Sequence, residues 1–169
     1  MPADFTAPAV ACVGHVHLRV SDLDRAIAFY RDVLGFPVTQ RGAKAAFLGA
    51  GGYHHHIGLN VWESEGASPP PPGHTGLFHA AFLYPDRAAL VAVLKRVKAA
   101  GIPIDGAAHH GVSTAVYIRD PDDNGVELYH DWPREAWSRA PDGSLAMTNE
   151  RFSVEALIAE TDAAGAAGA

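Results

Sequence analysis

The chain has 169 residues with 13 Lys and Arg against 19 Asp and Glu, a formal net charge of −6. That length suits one domain with a sizeable core rather than two independent ones, and the scattered basic residues argue against a nucleic-acid partner. No apolar run approaches the roughly 20 residues that span a bilayer, the opening MPADFTAPAV has no signal-peptide pattern, and a lone Cys12 points to a reducing cytoplasm without a disulfide framework.

Residues 14 to 35 form the clearest strand-to-helix unit. Val16, Leu18 and Val20 alternate with His15, His17 and Arg19, the period of a half-buried strand. Ser21 is the expected N-cap, with Asp24 three residues on. Leu23, Ile27, Tyr30 and Leu34 follow at helical spacing, and Gly35 ends the helix. Strands are then expected over 36–40, 44–48 and 54–62, separated by glycine-containing turns. SPPPPG (68–73) reads as a stiff connector between folded halves rather than as an SH3-type ligand.

The same order returns after it. LFHAAFLY (77–84) is strand-like, Asp86 can cap a helix carrying Leu90, Leu94 and Val97, and Gly101 stops it. Strands follow near 102–105, 114–119 and 125–131. The interval between His15 and His79 equals that between Asp22 and Asp86, so the chain reads as a duplicated βαβββ module. The expected fold is α+β, with two βαβββ modules forming a curved mixed sheet around a cleft and helices on the outside. The paired domain covers 13–133, with modules at 13–65 and 75–133 and a connector at 66–74. Residues 134–169 are an extension in which 152–160 is a short helix and the alanine-rich end frays.

Strand alternation decides which side chains share a face. With the apolar set packed on the helices, His15 and His17, then His54 and His56, then Glu127 and Tyr129 point the other way, and Tyr117 takes the parity of Arg119. Phe47, Trp62, Phe78, Phe82 and Trp132 are candidate aromatics of a cleft or its rim. Two imidazoles and one carboxylate from three strands suit a divalent metal with open positions, the usual holder of non-haem Fe(II).

The stretch GHVHLRVSDLDRAIAFYRDVLGF resembles the opening of the vicinal-oxygen-chelate superfamily, which includes glyoxalase I, bleomycin-resistance proteins and extradiol dioxygenases. DPDDNGVELYHD (120–131) resembles its closing motif, although DPDDNG stands where DPxGN is usual. YHHHIGLNVWES, the SPPPPG linker and GLFHAAFLYPDR are similar to the catechol-2,3-dioxygenase-like branch. The resemblance covers roughly 13–133 and implies His15, His79 and Glu127 as ligands of Fe(II), with Mn(II) as a substitute. It implies a second-sphere acid–base histidine, with His56 chosen on parity and His55 in reserve. Tyr117, ten residues before Glu127, matches a tyrosine of those enzymes, and His110 is a looser counterpart of a histidine that contacts substrate or oxygen.

The implied reaction is cleavage of a small aromatic diol with O2. The alternatives are a glyoxalase-type isomerase or lyase on the same metal position, or a metal-free binder of an aromatic drug. The glyoxalase branch wants a fourth ligand where this chain has Ile57 or Gly58, neither of which can bind metal, which favours the three-ligand branch unless His56 fills that role. Classical extradiol enzymes also use two paired-module domains, where this chain has a single pair. Such modules form one cleft within a chain or swap halves between chains, and a homodimer is the expected assembly.

Overall fold

The computed structural model describes residues 6–167. The first five residues of the opening stretch and the last two of the alanine-rich end lie outside it. The elements are β1 (Val16–Arg19), α1 (Leu23–Ala28) running into a π-helical turn (Phe29–Val33), β2 (Val38–Arg41), β3 (Ala45–Leu48) and β4 (Ile57–Asn60). After the connector come β5 (Ala80–Leu83), α2 (Arg87–Ala99), β6 (Ile104–His109), β7 (Ser113–Arg119) and β8 (Gly125–Asp131). A 3-10 turn (Arg134–Ala136), β9 (Glu150–Arg151) and α3 (Val154–Ala167) complete the chain. Among the described residues no helix is long and apolar enough to cross a membrane.

The α+β class and the repeated βαβββ order are as expected. The strands form two mixed sheets, one per module, ordered β1-β4-β3-β2 and β5-β8-β7-β6-β9. In each, the first strand runs parallel to the fourth and the remaining pairs are antiparallel. β1 and β5 therefore occupy corresponding sheet edges, and each leaves one row of backbone groups unpaired within its sheet.

Helices α1 and α2 each open on an aspartate. Asp22 accepts from the Arg25 amide (3.0 Å) and Asp86 from the Ala89 amide (2.8 Å). Asp22, not Ser21, is thus the N-cap of α1. The Ser21 hydroxyl is committed elsewhere, donating to Asp122 Oδ1 (2.5 Å) across the molecule. The first helix is also not a continuous α-helix to Leu34. It passes into the π turn, where the Leu34 amide reaches back to the Phe29 carbonyl (3.2 Å), and Gly35, at φ +87°, ends it.

One core serves both modules. Tyr30 is fully buried with its ring against Phe82 of β5, so the helical segment of the first module packs into the second rather than lying only on the outside. The Tyr30 hydroxyl donates to Asp120 Oδ2 (2.9 Å); burial first, then the Asp120 charge, pushes its pKa well up. Asp120 Oδ1 also accepts from the amides of Asp122 and Asn124, each at 2.9 Å. Asp122 receives Arg25 as well as Ser21 (2.8 Å). The DPDDNG turn is the clasp between the modules.

The C-terminal extension is more ordered than its composition suggests. β9 pairs with β6, and α3 continues to Ala167, docked on α2 by buried Val154 and Leu157. Ion pairs Arg87–Glu160, Lys95–Asp162 and Lys98–Glu155 line the same seam, but exposed pairs contribute at most about 1 kcal/mol each, so the apolar contact dominates. Leu94, on α2, is fully buried within the core. Leu94→Ala is expected to cost about 2–5 kcal/mol, read as a lower urea midpoint at fixed protein concentration with an unchanged slope.

Candidate metal and diol site

Four residues meet on the open face of the second sheet. Glu127 lies on β8 beside Tyr117 of β7, its register partner, and Ala81 of β5 flanks it on the other side. His79 immediately precedes β5. Its Nε2 is 2.8 Å from Glu127 Oε2, with side-chain exposures of 30% and 13%. Tyr117 Oη lies 3.3 Å from Glu127 Oε1 and 2.7 Å from His110 Nε2. His110 Nδ1 is 3.0 Å from the Thr148 carbonyl. The result is a continuous polar chain, His110–Tyr117–Glu127–His79.

The chain has two proton arrangements. The Thr148 carbonyl can only accept, so His110 carries a proton on Nδ1. With a neutral ring, Nε2 takes the single Tyr117 proton; with a protonated ring, Nε2 donates to Tyr117 and Tyr117 donates to Glu127. Tyr117 itself stays protonated at neutral pH, because burial, then the Glu127 charge and hydrogen bond, push its pKa to about 12. The phenol is therefore a relay whose direction follows the histidine.

Gly125 makes the close approach possible. It opens β8 against residues 78 and 79, and a Cβ there would collide with the Phe78 carbonyl and press on His79. The glycine that ends the DPDDNG turn is thus a spacer for the site, a role that only close backbone approach reveals.

The first sheet carries a separate histidine group. The His15 ring lies 4.4 Å from that of His55, and His55 sits 4.9 Å from Phe47. His17 covers Gly58, flanked by Phe47 and Trp62. Burial and neighbouring His15 lower the pKa of both His17 and His55. His56 does not share this face: its Nδ1 accepts from the Ala50 amide (3.3 Å), and its ring lies by Tyr53 and Phe36. Strand alternation does not reach this residue, since β4 begins only at Ile57 and the residues before it bend. His55, rather than His56, lies beside His15.

The candidate aromatics divide. Phe47 belongs to the histidine face, Phe82 is core, and Trp132 is tied by its indole N–H to Thr114 (2.9 Å). Trp62 and Phe78 are exposed, Phe78 at 89%. Within one chain the structure brings together His79, Glu127, Tyr117 and His110 and leaves His15 on the other sheet. Among the described residues no group of three His, Cys, Asp or Glu side chains could hold a metal ion.

The pair that does meet suits a metal. Its 2.8 Å separation is close to the ~3 Å expected of adjacent ligand atoms on an ion with bonds of about 2.1 Å. Among the described residues His79 Nδ1 is buried without a hydrogen-bond partner, so that within them the imidazole is held by its hydrogen bond to Glu127. The fourth ligand of a glyoxalase-type site has no counterpart, because Ile57 is fully buried and Gly58 lies under the His17 ring.

A family model described as the Glyoxalase/Bleomycin resistance protein/Dioxygenase superfamily matches residues 13–128. A catechol-2,3-dioxygenase of Bacillus subtilis is 38% identical over 149 residues, 88% of this chain and 51% of that protein. Biphenyl-2,3-diol 1,2-dioxygenase 3 of Rhodococcus globerulus is 33% identical over 119 residues, 70% of this chain and 63% of that protein. The chain thus spans between about half and two thirds of the length of these relatives. The crystal structure of a lactoylglutathione lyase from Agrobacterium tumefaciens superposes with a TM-score of 0.55 at 31% identity, covering 73% of this chain and 96% of that one.

Proposed function

This chain belongs to the glyoxalase/bleomycin resistance protein/dioxygenase superfamily, and within it we propose a metal-dependent extradiol-type dioxygenase that opens a catechol-like ring with O2. The observation that carries the proposal is the polar chain His110–Tyr117–Glu127–His79. It joins an imidazole–carboxylate pair to a phenol and a second imidazole, which is more than a binding cleft for an apolar drug needs.

His79 and Glu127 would hold Fe(II), or Mn(II) in its stead, and His15 of a second copy would complete the set. The metal supplies Lewis acidity toward the diol oxygens and the redox chemistry that dioxygen requires. Tyr117 hydrogen-bonds a substrate oxygen, and His110 behind it exchanges the proton. His55, in contact with His15, takes the acid–base role on the opposite wall. The homodimer reading rests on the free edges of β1 and β5 and on exposed Leu77, Phe78 and Leu83 around β5, apolar surface that a solvated edge strand rarely keeps. Fe(II) chemistry and the exposed Cys12 thiol fit a reducing cytoplasm.

The relationship to a lactoylglutathione lyase keeps an isomerase as the second reading, but the residues at Ile57 and Gly58 disfavour it. The test is metal content after anaerobic purification, paired with oxygen uptake on a panel of catechols. About one iron per chain with catechol-dependent uptake is expected. Nickel or zinc without uptake would turn the reading to the isomerase, and a protein without metal or uptake would leave only a binding site.

A further inference from the structure

We infer that the segment after β8 adds a subsite for a carboxylate carried by the substrate, with Arg151 as the cation that receives it. The inference rests on the diol-site reading above and names the class of diol: one bearing an anionic side chain. It concerns residues beyond the 13–128 stretch matched by the family model.

A cavity of about 570 Å³ opens along β6, within the range of roughly 300–1,000 Å³ typical of small-molecule sites. Tyr117 contributes to its wall, and Asn149, Arg151 and Phe152 of the C-terminal segment form another part. A second cavity, of about 290 Å³, shares Asp105, Gly106 and Tyr117 with the first and reaches His79. The two together line a path from His79 past the phenol to Arg151. Gly106, the register partner of Tyr117, keeps the passage beside the phenol low.

Charge decides what this passage accepts. Its two acidic wall residues are already matched, Asp105 by Arg119 (2.9 Å) and Glu155 by Lys98 (2.8 Å). Arg151 has no carboxylate partner among the described residues. Among the described residues the other lysines and arginines meet a carboxylate, a carbonyl in the cases of Arg96 and Arg139, or the Trp137 ring in that of Arg134. Arg151 alone among them has no such partner. Its backbone is held by the β9–β6 pairing, and the neighbouring Phe152 ring stacks on His109 at 4.4 Å, so the guanidinium stands on an anchored segment. A planar five-donor cation in a cavity wall suits a carboxylate two or three bonds from a ring.

The test compares 3-(3,4-dihydroxyphenyl)propanoate with its methyl ester by oxygen uptake, and measures calorimetric binding of 3-phenylpropanoate, which has no diol to oxidise. A KM about tenfold lower for the acid is expected, the scale of one charge-assisted hydrogen bond with solvent access. Arg151→Gln should erase the preference and the 3-phenylpropanoate binding, Arg151→Lys should keep part of both, and Arg31→Gln, distant on the π turn, should keep both. Equal KM values for acid and ester, or a preference that survives Arg151→Gln, would overturn the subsite while the dioxygenase reading stands. Binding of 3-phenylpropanoate that depends on Arg151 without uptake on any diol would support the subsite and overturn the dioxygenase reading.

Discussion

Glu127→Gln is expected to lower metal affinity and catechol-dependent oxygen uptake by at least about 100-fold, since even residues that only support a metal ligand commonly contribute 10- to 100-fold. The substitution isolates charge from shape. Glutamine keeps an oxygen that can accept from Tyr117, now 3.3 Å away, and an amide group facing His79 Nε2 at 2.8 Å. The side chain is largely enclosed, but its neighbours remain hydrogen-bonded, so the circular dichroism spectrum and urea midpoint should change little. What disappears is the anionic oxygen that a divalent ion requires alongside two neutral imidazoles. Metal content by elemental analysis and initial uptake rates are the readouts. A folded Glu127→Gln protein that keeps its iron would remove Glu127 from the ligand set and leave the His79–Glu127 contact as an ordinary hydrogen bond.

Much of this arrangement was legible in the sequence because it follows from periods and intervals. The equal spacing of His15 to His79 and Asp22 to Asp86 announced the duplicated module, and both aspartates cap their helices. Tyr117 and Glu127, ten apart in the chain, are register partners because one tight turn joins their antiparallel strands. His110 joined them on the weaker evidence of a loose motif. The failures lie where local rules stop. Alternation places His56 on the face of His15, but it holds only within β4, which begins at Ile57, and the bend before it puts His55 beside His15 instead. Ser21 looked like a cap because nothing in the local sequence reveals Asp122, far along the chain, as its acceptor. β9, with two residues, is too short to have a period, and the cation it carries acquires meaning only beside a cavity. The clasp between the modules is a tertiary fact: Asp120 and Asp122 read as turn residues, and their work is to hold Tyr30, Ser21 and Arg25 of the other half.

The position of His15 leads to the second large effect. His15 immediately precedes β1 and His79 immediately precedes β5, and these two strands sit at corresponding edges of separate sheets. Setting β1 of one copy parallel to β5 of another would bring the two histidines, each just before its strand, to the same end of the shared seam and would cover Leu83, exposed at 56%, and Phe78. A two-fold axis repeats the contact, giving two sites per dimer, each with His15 from one copy and His79 with Glu127 from the other. His15→Ala and His79→Ala homodimers should then both be inactive. Co-expressed with different tags, the two variants should regain about a quarter of wild-type uptake. That is the statistical result when half the dimers are mixed and one of the two sites in each is intact. Purified mixed dimers should bind about one iron per pair, the count of intact sites that the same symmetry predicts. If each chain instead built its site from its own three ligands, every site in the mixture would lack one histidine and no rescue would occur. Recovery in the mixed dimer, with none in either parent, is the outcome that makes the second copy part of the active site.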